Sequence, residues 1–108
     1  MSATAQNHDV FQAIADPTRR EILRLIADKE LPISEISSRF PMSRTAISKH
    51  LLILSEANLV SSEKVGREKR FRLQPEAFTE IQDWLSYFEQ FWHNKLSILK
   101  YVAENDKE

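Results

Sequence analysis

Apolar residues in this chain recur mostly at helical spacing, and a few prolines and short polar residues break the pattern into segments. In HDVFQAIA, Val10, Phe11 and Ile14 share one side of a short first helix. In DPTRREILRLIADKE, Asp16 stands at an N-cap position, and Pro17 fits the first helical position, where its missing N–H costs nothing. Ile22, Leu25 and Ile26 form the stripe expected to be buried there, with Leu23 at its margin, and Pro32 ends or interrupts the element. ISEISSRF predicts a helix of about two turns with Ile36 and Phe40 on one face. Ser34 is its expected cap, and Glu35 suits the positive end of the helix dipole. Pro41 and Met42 break the pattern. Ser43 then caps a helix that runs to about Ala57 on the stripe Ile47, Leu51 and Leu54. Two such helices across a tight turn are the punctuation of a helix-turn-helix.

The pattern then changes to strands. LVSSEKV and EKRFRL flank the only glycine of the chain, Gly66, which can supply the positive φ of a tight hairpin. Phe71 and Leu73 fall on the inward face, and Arg70 and Arg72 on the other. A hairpin placed here makes the unit a winged helix-turn-helix, mostly α with a two-stranded β wing. From Pro75 to about Asn105 no breaker appears, which predicts one long C-terminal helix. Phe78, Leu85, Trp92 and Leu99 repeat every seven residues, as do Ile81, Phe88 and Val102, with Lys95 the polar intruder. Trp84, Phe91 and Ile98 add a third row, more than a two-row coiled-coil seam requires. One part is expected to pack on its own chain and the rest on a second copy.

Composition narrows the class. A length of 108 residues suits one domain spanning 1–108, with residues 1–8 read as a loose tail and about 75–105 as a dimerisation helix. No cysteine is present, so disulfides, thiolate metal sites and cysteine nucleophiles are excluded, and a reducing cytoplasm is compatible. No run of about 18 apolar residues predicts a membrane span, and MSATAQNHDV lacks the build of a secretory signal. The net charge of −1 is uninformative, but its distribution is not. Residues 39–73 carry a balance of +5, and residues 74–108 a balance of −4. A basic middle points to an anionic partner.

The candidate chemistry sits in that middle. Ser43, Arg44, Thr45, Ser48 and Lys49 are short or basic side chains on the face opposite the apolar stripe, near the start of a capped helix. Such a helix fits the DNA major groove, and its N-terminal residues reach base edges. Arg44 can pair with guanine through two hydrogen bonds, and Thr45 can offer a methyl or a hydroxyl. Lys64, Arg67, Lys69 and Arg70 on the wing would meet flanking phosphates or the minor groove. An isolated basic pair reads as solvated surface; the capped helix and the basic hairpin together favour DNA. Arg19 and Arg20 read as surface or ion-pair residues. His50, at the edge of the stripe, reads as a partly buried structural residue, and His8 and His93 as surface. Trp84 and Trp92 read as packing residues rather than a ligand cage.

The stretches DPTRREIL, ISEISSRF, MSRTAISKHLLILSEANLV and GREKRFRL resemble, in one continuous order, the arsenic-repressor (ArsR) family of bacterial winged-helix regulators. The tail WLSYFEQFWHNKLSILKYV resembles the C-terminal helix of a subgroup that includes autorepressors. The resemblance implies a homodimer, built from the first and last helices, on an operator of two inverted half-sites, and usually repression. The expected interface residues are Val10, Phe11, Trp84, Phe88, Phe91, Trp92 and Leu99. Metal-sensing members carry a Cys-x-Cys box where this chain has Pro32, Ile33 and Ser34. A second family site uses His and carboxylate ligands on the last helix, where only His93 stands, with Asp83, Glu89 and Glu104 at other spacings. No metal or other cofactor is therefore expected. The leading expectation is a dimeric, cytoplasmic, sequence-specific DNA-binding regulator, a repressor of its own or a neighbouring operon; the expected partners are double-stranded DNA and a second copy, with a protein partner or small-molecule inducer left open. The alternative is a winged-helix module for protein contacts, in which a partner sequesters the dimer. An enzyme is not expected, because no glycine-rich phosphate loop or His–carboxylate cluster is present.

Overall fold

Why each segment folds as it does is visible at its ends. The computed structural model describes residues 9–106. Helix α1 (Val10–Ala13) begins with a reciprocal capping box: Asp9 accepts from the Gln12 N–H at 2.7 Å, and the Gln12 side chain accepts from the Asp9 N–H at 3.1 Å. Helix α2 (Pro17–Leu25) carries its proline at the first position, and Asp16 caps it by accepting from the Arg19 N–H at 3.0 Å. It ends at Leu25, earlier than the expected stop at Pro32, because the backbone leaves the helix at Ile26 and turns through Ala27–Lys29. Its stripe also differs from the expected one. Ile22, Leu23 and Ile26 are buried, and Leu25 is only partly covered.

Strand β1 (Leu31–Pro32) is two residues long and pairs antiparallel with the hairpin. The sheet therefore has three strands in the order β1, β3, β2, one more than expected. A two-residue strand is too short to show alternation, and proline is tolerated at a sheet edge. Helix α3 (Ile33–Ser37) follows directly, with Pro32 at its N-cap and no side-chain cap bond. Ser34 thus lies inside the helix and is not its cap.

Helix α4 (Arg44–Glu56) starts as the sequence predicts, with the Ser43 hydroxyl accepting from the Ala46 N–H at 3.1 Å. It ends in a left-handed residue, Asn58, at φ 63°. The Leu59 N–H bonds the Leu54 carbonyl at 3.0 Å, and the Asn58 N–H bonds that of Ser55 at 2.9 Å. This is a Schellman stop, and the residues at its two ends, Leu54 and Leu59, are both fully buried in the core cluster. Strands β2 (Val60–Val65) and β3 (Glu68–Leu73) form the wing. Gly66 has φ 64° at the first of two loop positions, the pattern of a II′ hairpin turn.

A 3₁₀ turn (Pro75–Phe78) leads into helix α5 (Thr79–Asp106), 28 residues long. Ala77, Phe78 and Ile81 pack against the core. That core is an apolar cluster centred on Ile22, Ile26, Ile36, Ile47, Leu51, Leu54 and Leu59. Beyond Ile81 the helix leaves it, which stretches the molecule to 67 Å along its longest axis. No helix among the described residues is long and apolar enough to cross a membrane.

Candidate nucleic-acid interface

Helix α4 presents two unlike sides. Ile47, Leu51 and Leu54 are buried, and Ser43, Arg44, Thr45, Ser48 and Lys49 are all exposed. At the helix start, the amides of Arg44 and Thr45 lie outside the intrahelical ladder, while Ser43 holds that of Ala46. The exposed ridge continues to Leu52, 59% exposed, one turn beyond Ser48 and Lys49. Sequence reasoning missed it, although a signal existed: Leu51 and Leu52 are adjacent, and the stripe can bury only one of them.

The wing adds charge. On the face that sends Phe71 into the core, the next pair outward is Lys64 opposite Lys69, two like charges in direct register. Such a pair destabilises an isolated hairpin and suits a hairpin that meets an anion. The Lys69 ammonium lies 5.7 Å from the Phe71 ring centroid. Arg67, at the turn, is exposed. Arg70 lies on the opposite face, held by the Glu68 carboxylate at 3.1 Å. Arg72 shares that face, donating to the Ser61 hydroxyl at 3.2 Å, with Glu30 at 4.0 Å. The predicted wing cations therefore divide between two faces.

A cleft of about 330 Å³ joins the two parts. Arg44 and Ser48 of α4 line it together with Arg67, Glu68 and Lys69 of the wing. Pro32, Ile33 and Ser34 form its remaining wall and supply no thiolate. A thiophilic metal does not fit this donor set. Among the described residues, no group of three or more His, Asp or Glu side chains is placed to hold a metal.

Behind the exposed ridge stands a polar joint. The Arg19 side chain donates from Nε to the Ala13 carbonyl at 2.7 Å and from Nη2 to that of Gln12 at 3.3 Å. Its Nη1 lies 3.2 Å from His50 Nδ1. A guanidinium only donates, so Nδ1 is the lone-pair nitrogen of a neutral ring. The 4.0 Å separation of His50 Nδ1 from Asp16 Oδ2 would be an ion pair only with a protonated ring, so the Arg19 contact describes the neutral state. Burial pushes the Asp16 carboxyl up. The Arg19 N–H, the charge that His50 carries only when its ring is protonated, the Arg19 charge and the Thr18 N–H outweigh it and hold the carboxyl below its ordinary value. Arg20 donates to the Ile14 carbonyl at 2.7 Å. Both arginines thus close the carbonyl end of α1, a role the sequence alone did not reveal. His50 is partly buried, as expected, with its side chain 21% exposed.

The last helix carries an uncovered apolar ridge. Phe11 meets Trp84 edge-on at 5.5 Å, and Trp84, Phe88, Tyr87 and Phe91 continue as a ladder of ring contacts. Trp84, Phe91, Trp92 and Leu99 are each more than half exposed, and Phe88 is 39% exposed. With Lys95 and Leu85, four of these aromatics line an apolar groove of about 560 Å³. Val10, predicted at an interface, is instead buried in its own chain's core, because α1 turns that side toward α4 and α5. His93 is exposed, as expected; His8 lies outside the described residues.

A capped helix with a short basic face, a hairpin beside it and a long helix behind them define a winged helix-turn-helix protein. Relatives agree with the geometry. The profile of the family described as bacterial regulatory protein, arsR family, matches residues 16–62. The chain is 33% identical to the transcriptional repressor SdpR of Bacillus subtilis, over 75% of this chain and 90% of that one. It is 32% identical to the HTH-type transcriptional regulator Rv2034 of Mycobacterium tuberculosis, over 90% and 88% respectively. Among solved structures, an ArsR-like transcriptional regulator from Rhodococcus sp. RHA1 superposes with a TM-score of 0.66 at 35% identity, covering 95% of this chain and 97% of that one. This chain belongs to the arsR family of bacterial regulatory proteins. Its members are DNA-binding transcriptional regulators, typically homodimeric, rather than enzymes.

Proposed function

We propose that this protein is a dimeric, sequence-specific DNA-binding repressor of its own or a neighbouring operon. The observation that carries this reading is the shared cleft: Arg44 and Ser48 of a capped, outward-facing helix lie beside Arg67 and Lys69 of the wing. The helix face enters the major groove, where Arg44, Thr45, Ser48 and Lys49 meet base edges and phosphates. Lys64, Arg67 and Lys69 hold the flanking backbone, and Arg70 joins them once a phosphate displaces Glu68. Two copies join through Phe11 and the α5 ridge of Trp84, Phe88, Phe91, Trp92 and Leu99, since an apolar surface of this extent marks an interaction site. The two-fold axis then sets the recognition helices about 34 Å apart on inverted half-sites. The chain works in the cytoplasm, beside the DNA it reads.

The test is titration of the protein's own promoter by gel shift at physiological salt. The parent binds it more tightly than a scrambled duplex. The double variant Arg44→Ala with Lys49→Ala loses that preference, each lost bidentate base contact being worth roughly 1–3 kcal/mol. Parent-like binding by the double variant assigns the contact face elsewhere.

A further inference from the structure

The basic face of α4 can read DNA only if the helix is held at a fixed rotation, and one side chain spans the elements that would hold it. We propose that Arg19 is a positioning residue, a joint that locks α4 through His50 to the carbonyl end of α1. All three guanidinium nitrogens are engaged inside the protein, with the Ala13 carbonyl, the Gln12 carbonyl and the His50 ring. With all three so engaged, we assign none of them to a phosphate. Asp16 holds the Arg19 backbone from below by accepting its N–H. A guanidinium places its donors on three separate nitrogens in one fixed plane, whereas an ammonium offers its three from a single nitrogen.

The two ends of this joint lie at different functional places. His50 follows Lys49 and sits within two turns of Arg44 on the same rigid helix, so its position sets the direction in which Arg44, Thr45 and Ser48 point. Gln12 and Ala13 close α1, whose Phe11 packs edge-on against Trp84 at the root of the α5 ridge. A rearrangement of the α1–α5 pair therefore reaches the reading face through Arg19. The bond to His50 requires the acceptor nitrogen of a neutral ring, so an asparagine, whose side-chain oxygen takes the Nδ1 position, preserves the joint, whereas alanine opens it.

The DNA arm of the test rests on the regulator reading above; a second arm does not. Amide hydrogen exchange is followed in the free full-length protein for the parent, Arg19→Gln, His50→Ala and His50→Asn. Arg19→Gln and His50→Ala are expected to speed exchange in α1 and the first two turns of α4 and to leave the β2–β3 hairpin unchanged; His50→Asn matches the parent. On a duplex carrying the protein's own promoter, the first two variants lose about tenfold in affinity. Their dependence on salt concentration is unchanged, because Arg19 touches no phosphate. Combining them costs no more than either alone.

Parent-like exchange in a folded Arg19→Gln protein overturns the proposal. So does exchange raised equally in the hairpin, which makes Arg19 a general structural residue. A salt slope lower by about 1 makes it a direct phosphate contact and overturns it too. If Arg19→Gln fails to fold, His50→Ala with its asparagine counterpart decides the same question. If the parent discriminates no duplex, the regulator reading falls, and the exchange arm still decides the joint.

Discussion

Single side chains set the start, the tilt and the chemistry of the reading helix. Ser43 is the clearest case. Its hydroxyl is the one side-chain acceptor at the start of α4, and removing it leaves the Ala46 N–H to water. Ser43→Ala should lower unfolding stability by about 1 kcal/mol, measured by urea titration. It should also weaken promoter binding, because the first turn that carries Arg44 and Thr45 frays. Asp16 gives a pH prediction. Its folded-state carboxyl titrates below its ordinary value, so the unfolded chain takes up the proton first. The stability it contributes is present above about pH 4 and is lost as pH falls through the folded-state pKa. Asp16→Asn keeps an acceptor for the Arg19 N–H and removes the charge. The variant should be less stable at pH 7 and show a flatter decline between about pH 5 and pH 3. Unfolding midpoints across that range check it, and an acid limb as steep as the parent's would contradict it. The two residues differ in how far the sequence revealed them. A cap is a local rule, legible from Ser43 and Asp16 alone. The Arg19–His50 contact joins residues 31 positions apart, and no spacing rule marks it.

Elements show the same division. Helix α4 was legible because a cap, a stripe and a polar face agree within thirteen residues. The wing was legible because Gly66 stands alone between two alternating runs. Strand β1 was not, because its identity comes from pairing Leu31 with Phe71, forty residues away. The early end of α2 and the start of α3 at Ile33 follow from that pairing: the chain must leave the helix to reach the sheet edge. The stop of α4 was hidden for another reason. Asn58 takes the left-handed position more often filled by glycine, so it gave no clear mark. In the wing, Gly66 has open space where a Cβ would stand, so only backbone strain opposes a side chain there. Gly66→Ala should therefore cost about 1 kcal/mol of stability, chiefly in the hairpin. It should reduce promoter affinity while leaving α4 intact, a combination readable by amide exchange and gel shift together. Equal affinity would remove the wing from the contact.

At the scale of the whole molecule, charge and apolar surface are separated. The exposed basic residues lie on α4 and the hairpin, and the exposed aromatic residues lie along α5. The heptad reading gave the rows but not their division. Phe78 and Ile81 pack on the core, and the exposed ridge begins at Trp84, where α5 outruns the rest of the fold. A lone helix with this much apolar surface is poorly soluble as a monomer. Trp92→Glu, at the middle of the ridge, should shift the protein from dimer to monomer in light scattering. Specific DNA binding should fall with it, since two half-sites then bind independently. A variant that remains dimeric would place the interface elsewhere. Joined in this way, two such faces are expected to read one duplex together. Hydroxyl-radical footprinting on the protein's own promoter reads this joint contact. Two protected inverted half-sites centred about one helical turn apart are expected, both absent with Trp92→Glu. A single protected segment without two-fold symmetry, or a promoter left wholly unprotected, would contradict it.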